Sequence, residues 1–399
     1  MVDIIFLGYC VNKETAEKLS GISIAGNKMQ LGVLRHMRQY VRNLDITTIY
    51  PVAAFPVDKK IIYRQAEIKL SDNIRAKRVS FLNIPLFKQI SQILSHYKAV
   101  KGIARKNRNA IILTFNMYPQ VGLPAVWTKK KYGNKIVTLL ADLPIDDNYA
   151  RHGIGKWIFR LFNVMTVKLL GQIDGAIVLN QKAWELYTPQ ARCLVMEGGY
   201  DDQGCNETEY TIENKAKLRK NIVYSGSLNE YSGIRELIEA MQYVNDMDIK
   251  LDIYGDGHLK EYVRSKCSDR IQYYGSIPNK EMMKVQQDAW ALINPRAVDD
   301  PIAKVTFPSK IFEYLTSGSP VISTRLNGFL KEYEGLLIFA ESNKPQEIAR
   351  CINVMAEQPY NNMLDMAGKA KKFIIENKSW AVQVENMINF IEKEFGESR

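Results

Sequence analysis

Val-Thr-Phe-Pro-Ser-Lys-Ile-Phe-Glu-Tyr-Leu-Thr-Ser-Gly-Ser-Pro-Val-Ile-Ser-Thr, residues 305–324, reads as one helix followed by one buried strand. Thr306 is placed to cap the helix, and Pro308 falls in its first turn, where a missing N–H costs nothing. Gly318 ends the helix and Pro320 prevents its continuation. Pro-Val-Ile-Ser-Thr then has the β-branched run of a strand. Ile311, Phe312 and Leu315 share one helix face, which is assigned to a core. Ser309, Glu313, Thr316 and Ser317 share the polar face.

One residue sits badly in this helix. Lys310 is in the first turn, where the macrodipole already places about half a positive charge. A cation there is unfavourable unless the site holds an anion against it. A solvated lysine is the alternative. The preceding Ala289-Trp-Ala-Leu-Ile-Asn-Pro-Arg296 reads as a strand running into a turn that offers a guanidinium. Arginine grips phosphate with two parallel hydrogen bonds, and lysine supplies a point charge beside it. Glu313, one turn into the helix, is placed to accept both hydroxyls of a ribose. A phosphate clamp with a diol acceptor is equipment for a nucleoside diphosphate.

Leu-Ile-Asn-Pro-Arg (292–296), Phe-Pro-Ser-Lys-Ile-Phe-Glu-Tyr-Leu (307–315) and Ser-Gly-Ser-Pro-Val-Ile (317–322) resemble the donor-binding core of glycosyltransferase family 4. These are retaining enzymes of the GT-B fold, and the likeness is to bacterial members that build surface polysaccharides. The resemblance implies transfer of a sugar from a UDP- or GDP-linked donor, with no cofactor and no protein-bound metal. It makes Glu313 the ribose ligand. The family's signature carries an earlier glutamate, and Val305 stands at that position.

Composition sets the frame. A chain of 399 residues with 46% hydrophobic and 24% charged residues suits two globular domains. No apolar run approaches the roughly 20 residues of a membrane-spanning helix. The opening Met-Val-Asp-Ile-Ile-Phe-Leu-Gly reads as a first strand rather than a signal peptide. Five scattered cysteines without a CxxC spacing, and four isolated histidines, point to a reducing cytoplasm and give no metal-ligand set. Charge is uneven: residues 1–210 hold 29 Lys and Arg against 17 Asp and Glu, whereas 211–399 hold 25 against 26. Within 59–108, 13 basic residues face only Glu67 and Asp72. Such asymmetry points to an anionic partner, a membrane surface or a nucleic acid. Nucleic acid fits the charge but lacks an interleaved aromatic platform.

In chain order, Asp3–Gly8 is the first expected strand. A loop over 20–30 leads into a helix to about Arg42, and Asn27 and Lys28 at its start form either an anion cradle or a tight loop without ligand. Further strands are expected near 46–50, 77–82, 111–115, 136–140, 174–179 and 193–196, with helices between most of them. The family often ends its fifth strand with a His-Asp pair that touches the donor sugar; here Ala141-Asp142 stands, so only Asp142 carries over. Two stretches, 85–104 and 155–170, interleave apolar anchors with cations and suit either an interfacial helix or packing on the domain's own sheet.

A polar linker is expected over 206–220. The second domain opens with Asn221-Ile-Val-Tyr-Ser-Gly-Ser-Leu228, where Gly226 and Ser227 resemble the family's phosphate-facing loop. The family's later lysine is replaced by Ser232. Leu251-Asp-Ile-Tyr-Gly-Asp-Gly257 and Ile271-Gln-Tyr-Tyr-Gly-Ser-Ile277 are strands ending in glycine, including Gly255. Ligands of open α/β sheets collect at such carboxyl ends. The resemblance places the nucleobase near Gly275 and Ile277. Helices are expected at 344–357, 361–376 and 380–395.

The expected architecture is therefore α/β: GT-B, two Rossmann-like domains facing a central cleft. Residues 1–205 would form the acceptor- and membrane-facing domain and 215–378 the nucleotide-sugar domain, with 379–399 a helix crossing back to the first. Arg296 and Lys310 would stabilise the leaving diphosphate. The expected partners are a nucleotide sugar, a lipid-linked or oligosaccharide acceptor and an anionic inner-membrane surface, in a peripheral cytoplasmic protein that binds no nucleic acid. A nucleotide-sugar epimerase or hydrolase of the same fold, or a non-catalytic nucleotide-sugar-binding subunit, is the alternative.

Overall fold

A computed structural model describes residues 1–19, 21–144, 154–201, 219–301, 303–308 and 310–396. The chain divides into two compact units, Met1–Gly199 together with Trp380–Arg399, and Tyr200–Ser379. The linker expected over 206–220 lies almost wholly outside the described residues.

The first unit is built on strands β1 (Asp3–Gly8), β2 (Asn43–Thr48), β3 (Ile62–Tyr63), β4 (Ala66–Ser71), β5 (Ile74–Arg78), β6 (Phe81–Leu82), β7 (Ile111–Phe115), β8 (Ile136–Leu140), β9 (Gly175–Val178) and β10 (Arg192–Val195). Eight of them form one sheet in the order β10-β9-β8-β7-β1-β2-β5-β4. All neighbours are parallel except the antiparallel β4–β5 edge. Strands β1, β7 and β8 are buried along their whole length. That is why they read as continuous apolar runs rather than alternating ones. The expected strand over 77–82 is two strands: β5 pairs with β2 and β4, whereas β6 pairs antiparallel with β3 as a separate two-stranded ribbon. A short helix, Lys13–Lys18, follows β1, and the helix expected to run to about Arg42 spans Ile24–Met37. The last helix, Trp380–Phe395, packs on it, burying Trp380, Val384, Met387, Ile388 and Ile391 in the same core as Leu31, Leu34 and Met37. Trp380 lies where a β-carbon on Gly32 would stand, 2.5 Å from its ring.

The second unit holds β11 (Asn221–Ser225), β12 (Lys250–Tyr254), β13 (Ile271–Gly275), β14 (Ala291–Asn294), β15 (Val321–Thr324) and β16 (Ile338–Ala340). They form a six-stranded parallel sheet in the order β13-β12-β11-β14-β15-β16. The strand order reverses between β11 and β14, the doubly wound arrangement in which a crevice opens at the carboxyl ends of the two diverging strands. The core beneath holds Ile222, Leu251, Ile253, Ile293 and Ile322, with Ile234, Leu237, Ile348 and Ile352 packed against them from the flanking helices.

The helix read from residues 305–324 begins later than expected, with Lys310–Thr316 as its described span. Thr306 and Pro308 precede it as irregular chain, and the N–H of Ile311 bonds to the carbonyl of Pro308 at 2.9 Å. Ile311, Phe312 and Leu315 are buried as expected, and so are Tyr314 and Thr316, which makes the polar face narrower than the spacing indicated. Gly318 adopts the left-handed conformation, φ 76°, that closes the helix.

Candidate functional site at the strand-order reversal

In the second unit, the segments leaving β11 and β14 flank the reversal. Ser225-Gly226-Ser227 follows β11, and Asn294-Pro295-Arg296 follows β14. The first is held by side chains from the Lys310–Thr316 helix, and the second by β15, where Thr324 Oγ1 donates to the Arg296 carbonyl at 2.7 Å. The Tyr314 hydroxyl, fully buried, accepts the N–H of Ser225 at 2.9 Å and lies 3.0 Å from the Ser225 carbonyl, to which it donates. Lys310 Nζ donates to that same carbonyl at 2.9 Å. Gln286 Nε2 donates to the Ser225 hydroxyl at 3.1 Å. Lys310 and Tyr314 are one helical turn apart, so one face of a short helix pins the end of β11. Burial pushes the Tyr314 hydroxyl up to about 12, so it stays protonated and keeps donating.

Arg296 is held against the loop before the Ile234–Ala240 helix. Its guanidinium carbon is 5.3 Å from the centre of the Tyr231 ring, and the N–H of Ala297 bonds to the Tyr231 carbonyl at 3.2 Å. Gly233 makes this approach possible. It takes φ 71°, and a β-carbon there would stand 1.8 Å from the Pro295 carbonyl oxygen. Burial lowers the pKa of Arg296, with Tyr231 and Asp300 acting in the opposite sense, and a guanidinium keeps its proton all the same. Its Nε is buried and has no hydrogen-bond partner among the described residues. A buried charged donor left unmade is costly.

The glycines expected near phosphate and base lie in a row across three strand ends. The N–H of Gly226 bonds to the Tyr254 carbonyl at 3.0 Å, and the N–H of Gly255 bonds to the Gly275 carbonyl at 2.9 Å. A β-carbon on Gly255, at φ 136°, would lie 1.7 Å from the Gly226 carbonyl oxygen. The backbone donors of Gly226 and Gly255 are therefore spent inside the fold. Ser227 is exposed, and neither its N–H nor its hydroxyl is bonded among the described residues, so it is the donor this loop presents. Ile277 is half-buried in the turn after β13. Glu313 is half-buried on the Lys310–Thr316 helix, and its carboxylate makes no hydrogen bond among the described residues. Ser309 lies outside the described residues. Val305, where the family has its earlier glutamate, is buried.

In the first unit, Asp142 follows β8 and is held by the residues after β7. Asn116, buried and at φ 59°, donates from Nδ2 to the Asp142 carboxylate at 3.0 Å and accepts the N–H groups of Ala141 and Asp142 at 2.8 and 2.9 Å. The protein surrounding this carboxylate raises its pKa, with Asn116 and Tyr118 pulling it back. A carboxylate fixed at a strand end by a left-handed asparagine is oriented for contact rather than for packing. Asn27 is otherwise. Its carboxamide is buried and closes on both backbone groups of Val11, at 3.0 and 3.1 Å, and Gln30 grips Tyr9 likewise. Asn27 therefore clamps the loop after β1, with one of its two amide hydrogens committed to Val11. Lys28 is exposed beside it.

Sequence reasoning missed Tyr314, Tyr231 and Asn116. Tyr314 carried a signal, since it lies three positions from Ile311 and one from Leu315 on the core side of the helix. Tyr231 and Asn116 carried none, because their roles depend on loops that meet only in the folded sheet.

Comparison with known proteins bears on this arrangement. Residues 219–358 match the family described as glycosyl transferases group 1. No curated protein matches the chain. Among solved structures, HepE of Anabaena in complex with UDP and glucose aligns over 98% of this chain and 100% of its own, at 14% identity and a TM-score of 0.65. Sucrose-phosphate synthase of Thermosynechococcus elongatus aligns over 99% and 100%, at 14% identity and a TM-score of 0.68. The lipopolysaccharide outer core galactosyltransferase WaaB aligns over 98% and 100%, at 15% identity and a TM-score of 0.63. At such identities the likeness is one of fold: two Rossmann-like α/β units of the GT-B type.

Proposed function

We propose that the chain is a retaining glycosyltransferase of the family 4 type, moving a sugar from a UDP- or GDP-linked donor to a lipid-linked saccharide in bacterial polysaccharide synthesis. The observation that carries the proposal is the buried guanidinium of Arg296, with its Nε unmade, at the strand-order reversal of the stretch that matches the group 1 family. Leaving-group departure concentrates negative charge on a diphosphate. Arg296 supplies a planar pair of donors for it, and Lys310, tied to the β11 end, supplies a second cation. Ser227 adds uncharged donors from the opposite loop. Glu313 accepts the ribose hydroxyls, and Gly275 and Ile277 bound the nucleobase.

Cations that already stand where charge develops act on the transition state without reorganising, which is why this chemistry needs no covalent carrier. With two cations in that role, the reading requires no metal. The acceptor is assigned to the first unit, whose charge excess suits a phosphate-bearing lipid.

Incubation with UDP- and GDP-sugars, with and without bacterial inner-membrane lipids, tests the reading. Donor turnover that depends on the lipids and persists in excess EDTA is expected. Turnover of donor alone would make the chain a hydrolase or epimerase. Tight nucleotide binding without turnover under any acceptor would make it a binding subunit.

A further inference from the structure

We propose that the apolar crest formed by Leu86, Phe87, Ile90 and Leu94 in the first unit is an insertion surface for an anionic lipid bilayer; this deepens, and rests on, the reading of a lipid-linked acceptor. The crest inverts the usual pattern of a helix on a soluble domain. The Phe87–Ala104 helix turns Gln92 and His96 inward, together with Ala99, Val100 and Ala104. His96 is satisfied there, by the Thr47 hydroxyl at 2.8 Å and the Gln120 carbonyl at 3.2 Å. The outward face instead carries Phe87, Ile90 and Leu94, at 61%, 57% and 57% exposure. Leu86 precedes them at 69% exposure and φ 67°, a conformation that a branched residue rarely adopts. Such strain persists only where the surroundings enforce it, and here its effect is to hold a leucine in solvent.

The crest is continuous with the β3–β6 ribbon. Ile62 and Leu82 pair across it and are both exposed, whereas their neighbours Tyr63 and Phe81 stack inward with ring centres 4.7 Å apart. The N–H of Leu82 bonds to the Ser91 hydroxyl at 3.0 Å, which ties the ribbon to the helix. Single exposed apolar residues are ordinary, but a joined surface of this kind marks a partner.

Charge identifies which partner. Lys59, Lys60, Arg64 and Lys98 are exposed in these segments, and none forms an ion pair among the described residues. Beside Val57 lies a cavity of about 460 Å³ where Lys18, Lys60 and Arg78 outnumber the single carboxylate, Asp58, which is bonded by the Tyr63 hydroxyl. A second copy of this chain would bring the same cations against themselves. A protein partner would need a matching acidic rim, whereas an anionic bilayer offers apolar depth and phosphate together. No helix among the described residues is long and apolar enough to cross a membrane, so the contact is interfacial.

The test is cosedimentation of the full chain, without donor or acceptor, with vesicles of phosphatidylcholine alone or mixed with phosphatidylglycerol. Wild type is expected to sediment with the mixed vesicles, less so as salt rises. Leu86→Ser, Phe87→Ser and Ile90→Ser together should reduce partitioning roughly tenfold or more, with thermal unfolding unchanged because the three sites are exposed. In a second variant, Phe87→Trp, the added tryptophan emission should shift to the blue on mixing with the same vesicles. A triple variant that sediments like wild type, or a wild type that stays in solution, overturns the proposal. Turnover of donor onto a short-chain, water-soluble acceptor separates this from the reading beneath it. The triple variant should keep that turnover, whereas its loss in wild type would strike the glycosyltransferase reading and leave the lipid surface standing.

Discussion

Replacing Arg296 by methionine separates what this side chain costs the fold from what it does for the reaction. In the unliganded protein its Nε is buried without a partner among the described residues, and burial opposes its charge. An unmade buried donor costs about 1–3 kcal/mol. The compensating contact with the Tyr231 ring contributes about 0.5–2 kcal/mol. Methionine fills comparable space and has no donor to satisfy, so Arg296→Met should leave stability within about 1 kcal/mol of wild type, on the stabilising side where the two terms do not cancel. Turnover should behave differently. A donor aimed at charge that grows in the transition state is worth about 2.7–4 kcal/mol, which is roughly two to three orders of magnitude in kcat. Donor affinity should change less than kcat, because the contact strengthens as the diphosphate departs. Urea unfolding measures the first quantity, and nucleoside diphosphate release at saturating donor measures the second. A variant that loses more than about 3 kcal/mol of stability, the range of a disrupted buried network, while keeping kcat would show that Arg296 is a packing residue and refute the reasoning.

Other sites give sharper, narrower expectations. Glu313→Gln should weaken nucleotide binding by about 1.5–3 kcal/mol in calorimetry, the range for a hydrogen bond to a charged group, and unchanged affinity would remove it from the ribose. Tyr314→Phe leaves the N–H of Ser225 without its acceptor in a buried place, so stability should fall by about 1–3 kcal/mol and kcat should drop with it as Lys310 loses its footing. His96 is fully buried, and burial lowers its pKa to about 4 from 6.5. The unfolded chain then binds more protons between those values, so stability is full above pH 6.5 and is lost as pH falls toward 4, by about 3 kcal/mol in all. His96→Gln should flatten that part of the stability–pH curve in urea titrations; an unchanged curve would show that other groups set it.

How much was legible depended on where each residue's partners come from. Strands β1, β7 and β8 were readable because both of their faces are buried, which leaves an apolar run that no neighbour needs to explain. The β4–β5 edge was missed although Ala-Glu-Ile-Lys-Leu-Ser and Ile-Arg-Ala-Lys-Arg both alternate apolar with polar residues around the turn residues Asp72-Asn73, so here the local signal was present and went unread. The single strand expected over 77–82 failed for a different reason: the break at Val79-Ser80 is imposed by two different sheets claiming its halves. In the site, Arg296 and Lys310 were read as residue types on a spacing, and Gly226 from its resemblance to the family's loop. Asn27 was equally legible as a type, yet its carboxamide closes on Val11, and nothing local announces that contact.

Lys310 shows how a local rule and a tertiary contact divide one explanation. A cation at the start of a helix argues for an anion only while nothing else offsets it. Here the Ser225 carbonyl, at the end of a strand 85 positions earlier, accepts from it at 2.9 Å, and Tyr314 one turn on takes up the same carbonyl and the adjoining N–H. The unfavourable position is thus already offset within the fold. What remains in favour of a ligand is placement: an ammonium tied to the end of β11, on one side of the strand-order reversal, and after β14, on the other side, a guanidinium whose Nε hydrogen bond is unmade. A cation anchored by backbone keeps its position through catalysis and pays no ordering entropy on binding, which suits stabilising a leaving group better than capturing a substrate.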